Sequence, residues 1–193
     1  MNGVCLPIQS FKDYVEQYTG GKEDDAGNTL NVVWDTCGAR WEVAICASNQ
    51  GFQQISFVNS IATLKGGKHV DHVVDLVVKR LTDIINRRNK TGLKIQPKQI
   101  KEHMWIFISC EIVNPTFDSQ SKETMTKVAK SFGSKCEFSD KFKEDVSKVG
   151  IVESVLFWLK FRAHSMLATS TTDEKTSKLT GRICFDLNIV SVT

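Results

Sequence analysis

A lysine in a polar loop just past a buried strand can reach a phosphate as a compact point charge. Lys122 occupies such a position, at the end of Phe117-Asp118-Ser119-Gln120-Ser121-Lys122. A second feature is electrostatic. Between residues 79 and 101 stand eight cations, Lys79, Arg80, Arg87, Arg88, Lys90, Lys94, Lys98 and Lys101, against Asp83 alone. That window carries +7 in a chain of net charge +3, which leaves −4 for the remainder. Such a cluster is either a solvated face or the counterpart of a polyanion whose counterions it releases. The four histidines, His69, His72, His103 and His164, offer less. His69 and His72 lie three apart at the start of a helical pattern, but no further ligands stand at metal spacing. Solvated or capping histidines therefore compete with a metal site there. Six scattered cysteines without a C-x-x-C pair read as reduced thiols. Neither G-x-G-x-x-G nor G-x-x-x-x-G-K-[ST] occurs, so the common nucleotide-binding loops are missing.

The elements that must position these residues are those of an α+β domain. The chain has 193 residues, 41% hydrophobic and 24% charged, enough for one domain with its own core. No apolar run reaches the roughly 18 residues of a membrane span, and the N-terminus lacks signal-peptide character. The expectation is a soluble chain that is not secreted. A helix is expected over Ser10 to Tyr18, from Phe11, Tyr14, Val15 and Tyr18 at helical spacing. Strands follow at Leu30–Trp34, Arg40–Ala47 and Gln53–Val58, joined by links short enough for antiparallel hairpins. Ser60 to Lys68 reads as a loop, with Gly66-Gly67 signalling no more than a turn. Val70, Val73, Val74, Val77, Val78, Leu81, Ile84 and Ile85 then form the apolar stripe of a long helix. A helical turn at 97–102 precedes a strand over Met104 to Val113, apolar on both faces and ended by Asn114-Pro115. Thr116 to Cys136 is a long polar loop, of the kind that is often functional. Helices at Ser139–Val149 and Ile151–Leu167 close the domain, the second apolar around most of its circumference. Ala168 to Lys178 reads as a linker.

Four strings carry a family resemblance. Phe52-Gln53-Gln54-Ile55-Ser56-Phe57-Val58-Asn59-Ser60-Ile61-Ala62-Thr63-Leu64-Lys65-Gly66-Gly67-Lys68-His69-Val70-Asp71 resembles the transducer signature of eukaryotic type II DNA topoisomerases. Asn114-Pro115-Thr116-Phe117-Asp118-Ser119-Gln120-Ser121-Lys122-Glu123 is similar to that family's Q-T-K loop, with Ser121 in place of its threonine. Lys130-Ser131-Phe132-Gly133-Ser134 and Gly150-Ile151-Val152-Glu153-Ser154-Val155 match as well. The resemblance runs from about Leu6 to about Ala163. The last twelve residues, Arg182 to Thr193, are apolar and depart from it, as a shifted reading frame or an alternative terminus would.

The resemblance implies a two-layer transducer fold like that of a ribosomal-protein domain. Its sheet is mostly antiparallel and four-stranded, with a left-handed crossover helix and C-terminal helices. Residues 1–28 would be a connecting segment, 29–167 the transducer and 168–193 a linker with a divergent tail. It also implies that Lys122 contacts the γ-phosphate of ATP bound in another domain, with Gln120 and Ser121 beside it. Asn86, Arg87, Arg88 and Lys90 would face DNA, with Asn86 at a position that is basic in the family. ATP and Mg2+ would be bound only with the ATPase domain, and no metal by this chain. The expected partners are DNA and the ATPase and cleavage domains of a nuclear, homodimeric enzyme, with no membrane. No residue here matches the family's ATP pocket, its magnesium-binding acidic cluster or its nucleophilic tyrosine. The chain alone is therefore expected to turn over neither ATP nor DNA. A non-enzymatic DNA- or topoisomerase-binding module, or a truncated paralogue, is the alternative.

Overall fold

The structure is a computed structural model that describes residues 8–21 and 30–170, with the side chains of 166–170 left aside. The tail from Arg182 to Thr193 and the linker beyond Ser170 lie outside the described residues. Helix α1 spans Phe11–Thr19 and starts at a capping box. Ser10 Oγ accepts from the Asp13 amide at 3.1 Å, and the Asp13 carboxylate accepts from the Ser10 amide at 2.9 Å. These exchanges satisfy amide donors that a helix start otherwise leaves unpaired.

Five strands make the main sheet: β1 (Val33–Thr36), β2 (Trp41–Ala47), β3 (Gln53–Val58), β4 (Ile61–Ala62) and β6 (Met104–Cys110). Their order is β1-β2-β6-β3-β4. This corrects the four-stranded, hairpin-linked expectation. β1 and β2 do pair antiparallel, but β2 and β3 are not neighbours. Strand β6 lies between them, antiparallel to β2 and parallel to β3. The physical reason is the composition of β6. Met104 to Ile108 are all buried, and a strand apolar on both faces belongs at the centre of a sheet. A parallel β3–β6 pair also requires a crossover, and the intervening helices supply it.

The register sorts the two faces. Trp41, Val43 and Ile45 oppose Cys110, Ile108 and Ile106 on one side. Trp105, Phe107 and Phe57 lie on the other, where α1 covers them with Phe11, Tyr14 and Tyr18. The first face is capped by α2 (Lys68–Arg88), whose Val70, Val73, Val74, Val77, Val78, Leu81 and Ile85 are buried. The short helix α3 (Pro97–Lys101) follows, and α4 (Asp140–Asp145) is N-capped by Ser139 as expected. The expected helix over 139–149 breaks at Val146 into a 3-10 turn. Helix α5 runs Ile151–Ser170, three residues past the expected end. It buries Ile151, Val152, Val155 and Leu159 but leaves Phe157 and Phe161 exposed, so its second apolar side has no partner among the described residues.

Three boundaries shift for local reasons. β1 begins at Val33 instead of Leu30 and takes in Asp35 and Thr36. The last main-sheet strand stops at Cys110, because Asn59 then grips Ile112 through both its amide and its carbonyl, at 2.8 and 3.0 Å. Two loops, one before α2 and one after β6, are also more ordered than their composition suggests. Ser60 to Lys68 contains β4 and a further short strand, β5 (Gly66–Gly67). The polar stretch after Pro115 contains β7 (Thr124–Met125) and buries Met125 and Phe132.

Candidate functional site

Lys122 sits at the tip of a closed loop. Its amide donates to the Ser119 carbonyl at 3.1 Å, and the Asp118 amide donates to the Thr124 carbonyl at 3.1 Å. Ser119 Oγ and Ser121 Oγ lie 2.9 Å apart, which ties Ser121 back into the turn. Gln120 and Ser121 are exposed, whereas Lys122 is half-buried. Its Nζ stands 6.0 Å from the centroid of the Phe117 ring and has no ion pair among the described residues. The backbone at Lys122 is left-handed, with φ of 57°, a conformation that costs a non-glycine residue free energy and is held by its surroundings.

Those surroundings are the start of α2. Strands β5 and β7 pair in parallel, Gly66 with Thr124 and Gly67 with Met125. Gly67 has φ of 133° and ψ of −164°, a region open essentially only to glycine. A Cβ there would lie 2.2 Å from the Met125 carbonyl oxygen. The Gly-Gly pair is thus the point at which the lysine loop is fastened to the long helix, a role that the sequence reading of a plain turn missed. Adjacent to it, the Lys65 amide donates to the Glu123 carbonyl at 3.0 Å, and Lys65 Nζ pairs with the Glu123 carboxylate.

Behind this fastening is a buried polar chain. Thr63 Oγ1 donates to the Ser56 carbonyl at 3.0 Å, and Ser56 Oγ stands 2.6 Å from Thr63 Oγ1. His69 Nε2 lies 3.2 Å from the same Thr63 oxygen. With the Thr63 hydroxyl donating to the Ser56 carbonyl, the arrangement favours Nε2 as the donor to Thr63 Oγ1. His69 is fully buried, which overturns the reading of a solvated or capping histidine. His72 is half-buried against Trp41 and Phe132, and no metal-ligand cluster forms around either among the described residues. Burial lowers the His69 pKa to about 4, with the Asp71 carboxylate opposing. An unfolded histidine titrates near 6.5, so below that pH the unfolded chain takes up a proton that the folded chain refuses. Stability present above pH 6.5 therefore declines as pH falls toward 4, by up to roughly 3 kcal/mol. Urea midpoints measured across that window should fall, and His69→Gln should flatten the decline.

The basic segment does not form one patch. Lys101 Nζ lies 4.0 Å from Asp71 Oδ1 at the first turn of α2, and 4.3 Å from the centroid of the Phe52 ring. Arg87 and Arg88 occupy the last turn, roughly 24 Å away at 1.5 Å per residue. Asn86, Arg87, Arg88 and Lys90 are all exposed there. Arg88 is partly neutralised by Glu153 of α5 at 3.4 Å, a partner that sequence spacing could not supply. Arg80, Arg87 and Arg88 line a groove of about 410 Å³ with Glu144 and Lys148 opposite, Lys148 being paired with Asp145 at 2.9 Å.

A family model described as DNA gyrase B matches residues 10–175. The chain belongs to the DNA gyrase B family. Its relatives place it on the eukaryotic type II topoisomerase side of that family. It is 56% identical over 181 residues to DNA topoisomerase 2 of Bombyx mori, covering 94% of this chain and 12% of that protein. With DNA topoisomerase 2-beta of Homo sapiens it shares 51% over 180 residues, 93% of this chain and 11% of the relative. The chain therefore spans only about one-eighth of the length of the curated relatives that it matches.

The solved structures agree. The ATPase region of Saccharomyces cerevisiae topoisomerase II superposes with a TM-score of 0.69 at 39% identity, over 82% of this chain and 39% of that one. The ATPase and transducer domains of Balamuthia mandrillaris DNA topoisomerase II give 0.72 at 36% identity, over 80% and 38%. The 43K ATPase domain of Thermus thermophilus gyrase B, at 16% identity and 0.54, shares the fold.

Proposed function

We propose that this chain is the transducer of a nuclear type II DNA topoisomerase, coupling ATP binding and hydrolysis to DNA strand passage. Residues 29–167 form the transducer unit and 168–193 the linker and tail. The observation that carries this reading is the fastening of the Lys122 loop to the start of α2, whose far end bears Arg87 and Arg88. One rigid helix then joins a phosphate-seeking cation to a cationic groove. A loop held by a γ-phosphate is ordered while the triphosphate lasts and released after hydrolysis, which converts bond cleavage into movement of the attached helix.

The residues fit a phosphate at this place. Lys122 offers an ammonium free of ion pairs among the described residues, and exposed Gln120 offers an amide beside it. Ser121 contributes its hydroxyl only by leaving Ser119. ATP and Mg2+ would be held chiefly by a nucleotide-binding domain, because one lysine cannot assemble a pocket. The 193-residue chain alone is expected to hydrolyse no ATP and relax no DNA. The test is ATP turnover by this chain joined behind the nucleotide-binding domain of a relative, with the chain alone as the blank. Turnover by the chain alone, or none by the fusion, contradicts the proposal.

DNA binding through the far end of α2 should be weak, sequence-independent and salt-sensitive, each phosphate contact adding about −0.9 to the slope of log K against log salt. Arg87→Ala and Lys90→Ala should each flatten that slope by about 1. Arg88→Ala should flatten it less, since Glu153 already competes for that guanidinium. Fluorescence anisotropy with a labelled duplex at several salt concentrations measures this, and a salt-independent affinity excludes it.

A further inference from the structure

The residue after Lys122 is an acid. Glu123 is the carboxylate nearest in sequence to the ammonium of Lys122, and an adjacent free carboxylate would compete with any phosphate for that charge. In the structure it does not compete, because Lys65 holds it. The Lys65 amide takes the Glu123 carbonyl at 3.0 Å and its Nζ takes the carboxylate. Asp118, the other acid of the loop, accepts from Ser119 Oγ at 3.1 Å. Lys122 is left with the face of Phe117 at 6.0 Å and no ion pair among the described residues.

We propose that Lys65 is a positioning residue that keeps Glu123 off Lys122, so that the loop presents an uncompensated ammonium to an incoming phosphate. Its importance for turnover rests on the phosphate reading of Lys122, whereas the clamp itself is a property of this chain. The Lys65–Glu123 pair is exposed on the lysine side, 70% for Lys65 against 31% for Glu123, so it adds little to stability. Its effect lies in the choice of partner. Without the Lys65 ammonium, Glu123 is drawn to Lys122, its immediate neighbour along the loop, and the Lys122 charge is then compensated before a phosphate arrives.

The experiment reads the free amine of Lys122 directly, in the full 193-residue chain. Acylation by an N-hydroxysuccinimide ester at mildly alkaline pH is followed by peptide mass spectrometry, with Lys122 scored against the exposed lysines Lys12 and Lys160. Lys65→Met keeps the backbone amide and the length of the stem while removing the charge. It should slow labelling of Lys122 by roughly twofold to fivefold, the range that one exposed ion pair supports. Adding Glu123→Gln to Lys65→Met should restore the original rate, which general loosening of the loop would not do. Unchanged labelling in Lys65→Met, or a decline that Glu123→Gln fails to reverse, overturns the clamp. In the fused protein, Lys65→Met should raise KM for ATP more than it lowers kcat, again with rescue by Glu123→Gln. If labelling follows the expected pattern while fused turnover ignores both Lys65→Met and Lys122→Ala, the clamp stands and the phosphate reading falls.

Discussion

Lys122→Ala in the chain joined behind a relative's nucleotide-binding domain should lower ATP turnover by about a hundredfold or more, because a preorganised cation on a transferring phosphoryl group contributes several kcal/mol to the barrier. The same substitution should shift folding stability by less than about 0.5 kcal/mol, as Nζ makes no ion pair in the described residues. That separation of effects is the signature of a residue whose partner is in another domain. Lys122→Arg should recover little turnover, since a planar fork does not replace a compact ammonium. The measurements are steady-state hydrolysis for the fused proteins and denaturant midpoints for the isolated chain. Equal turnover by the alanine variant and its parent would mean that Lys122 does not reach the phosphate.

The second large effect is structural. Gly67→Ala should cost roughly 3 kcal/mol or more, because two penalties coincide there. The φ of 133° disfavours any side chain, and the new Cβ would stand 2.2 Å from the Met125 carbonyl oxygen and 2.6 Å from its nitrogen. Both neighbours are backbone, so a rotamer change cannot relieve the clash. Gly66→Ala is the internal control. Its φ of 76° is also left-handed, but its nearest new contact is a Val70 methyl at 3.4 Å, so about 1 kcal/mol is expected. Urea unfolding of the two variants gives the comparison. If Gly67→Ala is no worse than Gly66→Ala, the close approach of β5 to β7 does not hold in solution. Beyond stability, separating β5 from β7 would release the Lys122 loop from α2, so a surviving Gly67→Ala fusion should also turn over ATP poorly.

Much was legible in the sequence because it depends on neighbours along the chain. The stripe from Val70 to Ile85 marked α2, the spacing of Phe11, Tyr14, Val15 and Tyr18 marked α1, Ser139 marked the start of α4, and the apolar run from Met104 marked a strand buried on both faces. Long strings around Lys122 and Gly150 also carried the family. Periodicity and capping act over one or two turns, so a linear reading captures them.

Tertiary structure decided the rest. Sequence order suggested that β3 would pair with β2, but β6 displaced it, since the strand with two apolar faces gains most from the central place. A cationic run of 23 residues looked like one surface until folding set Lys101 beside Asp71 and Arg88 beside Glu153. His69 looked like a polar residue at a helix start, yet Thr63, itself held by Ser56 of β3, meets its Nε2 in the core, while Nδ1 is left without a partner among the described residues. Gly66-Gly67 looked like a turn because the reason for glycine, the backbone of Met125, lies 58 positions further along the chain. Propensity and pattern record what a residue prefers next to its neighbours, whereas pairing, burial and charge compensation depend on which distant groups the closed chain brings within a few ångströms.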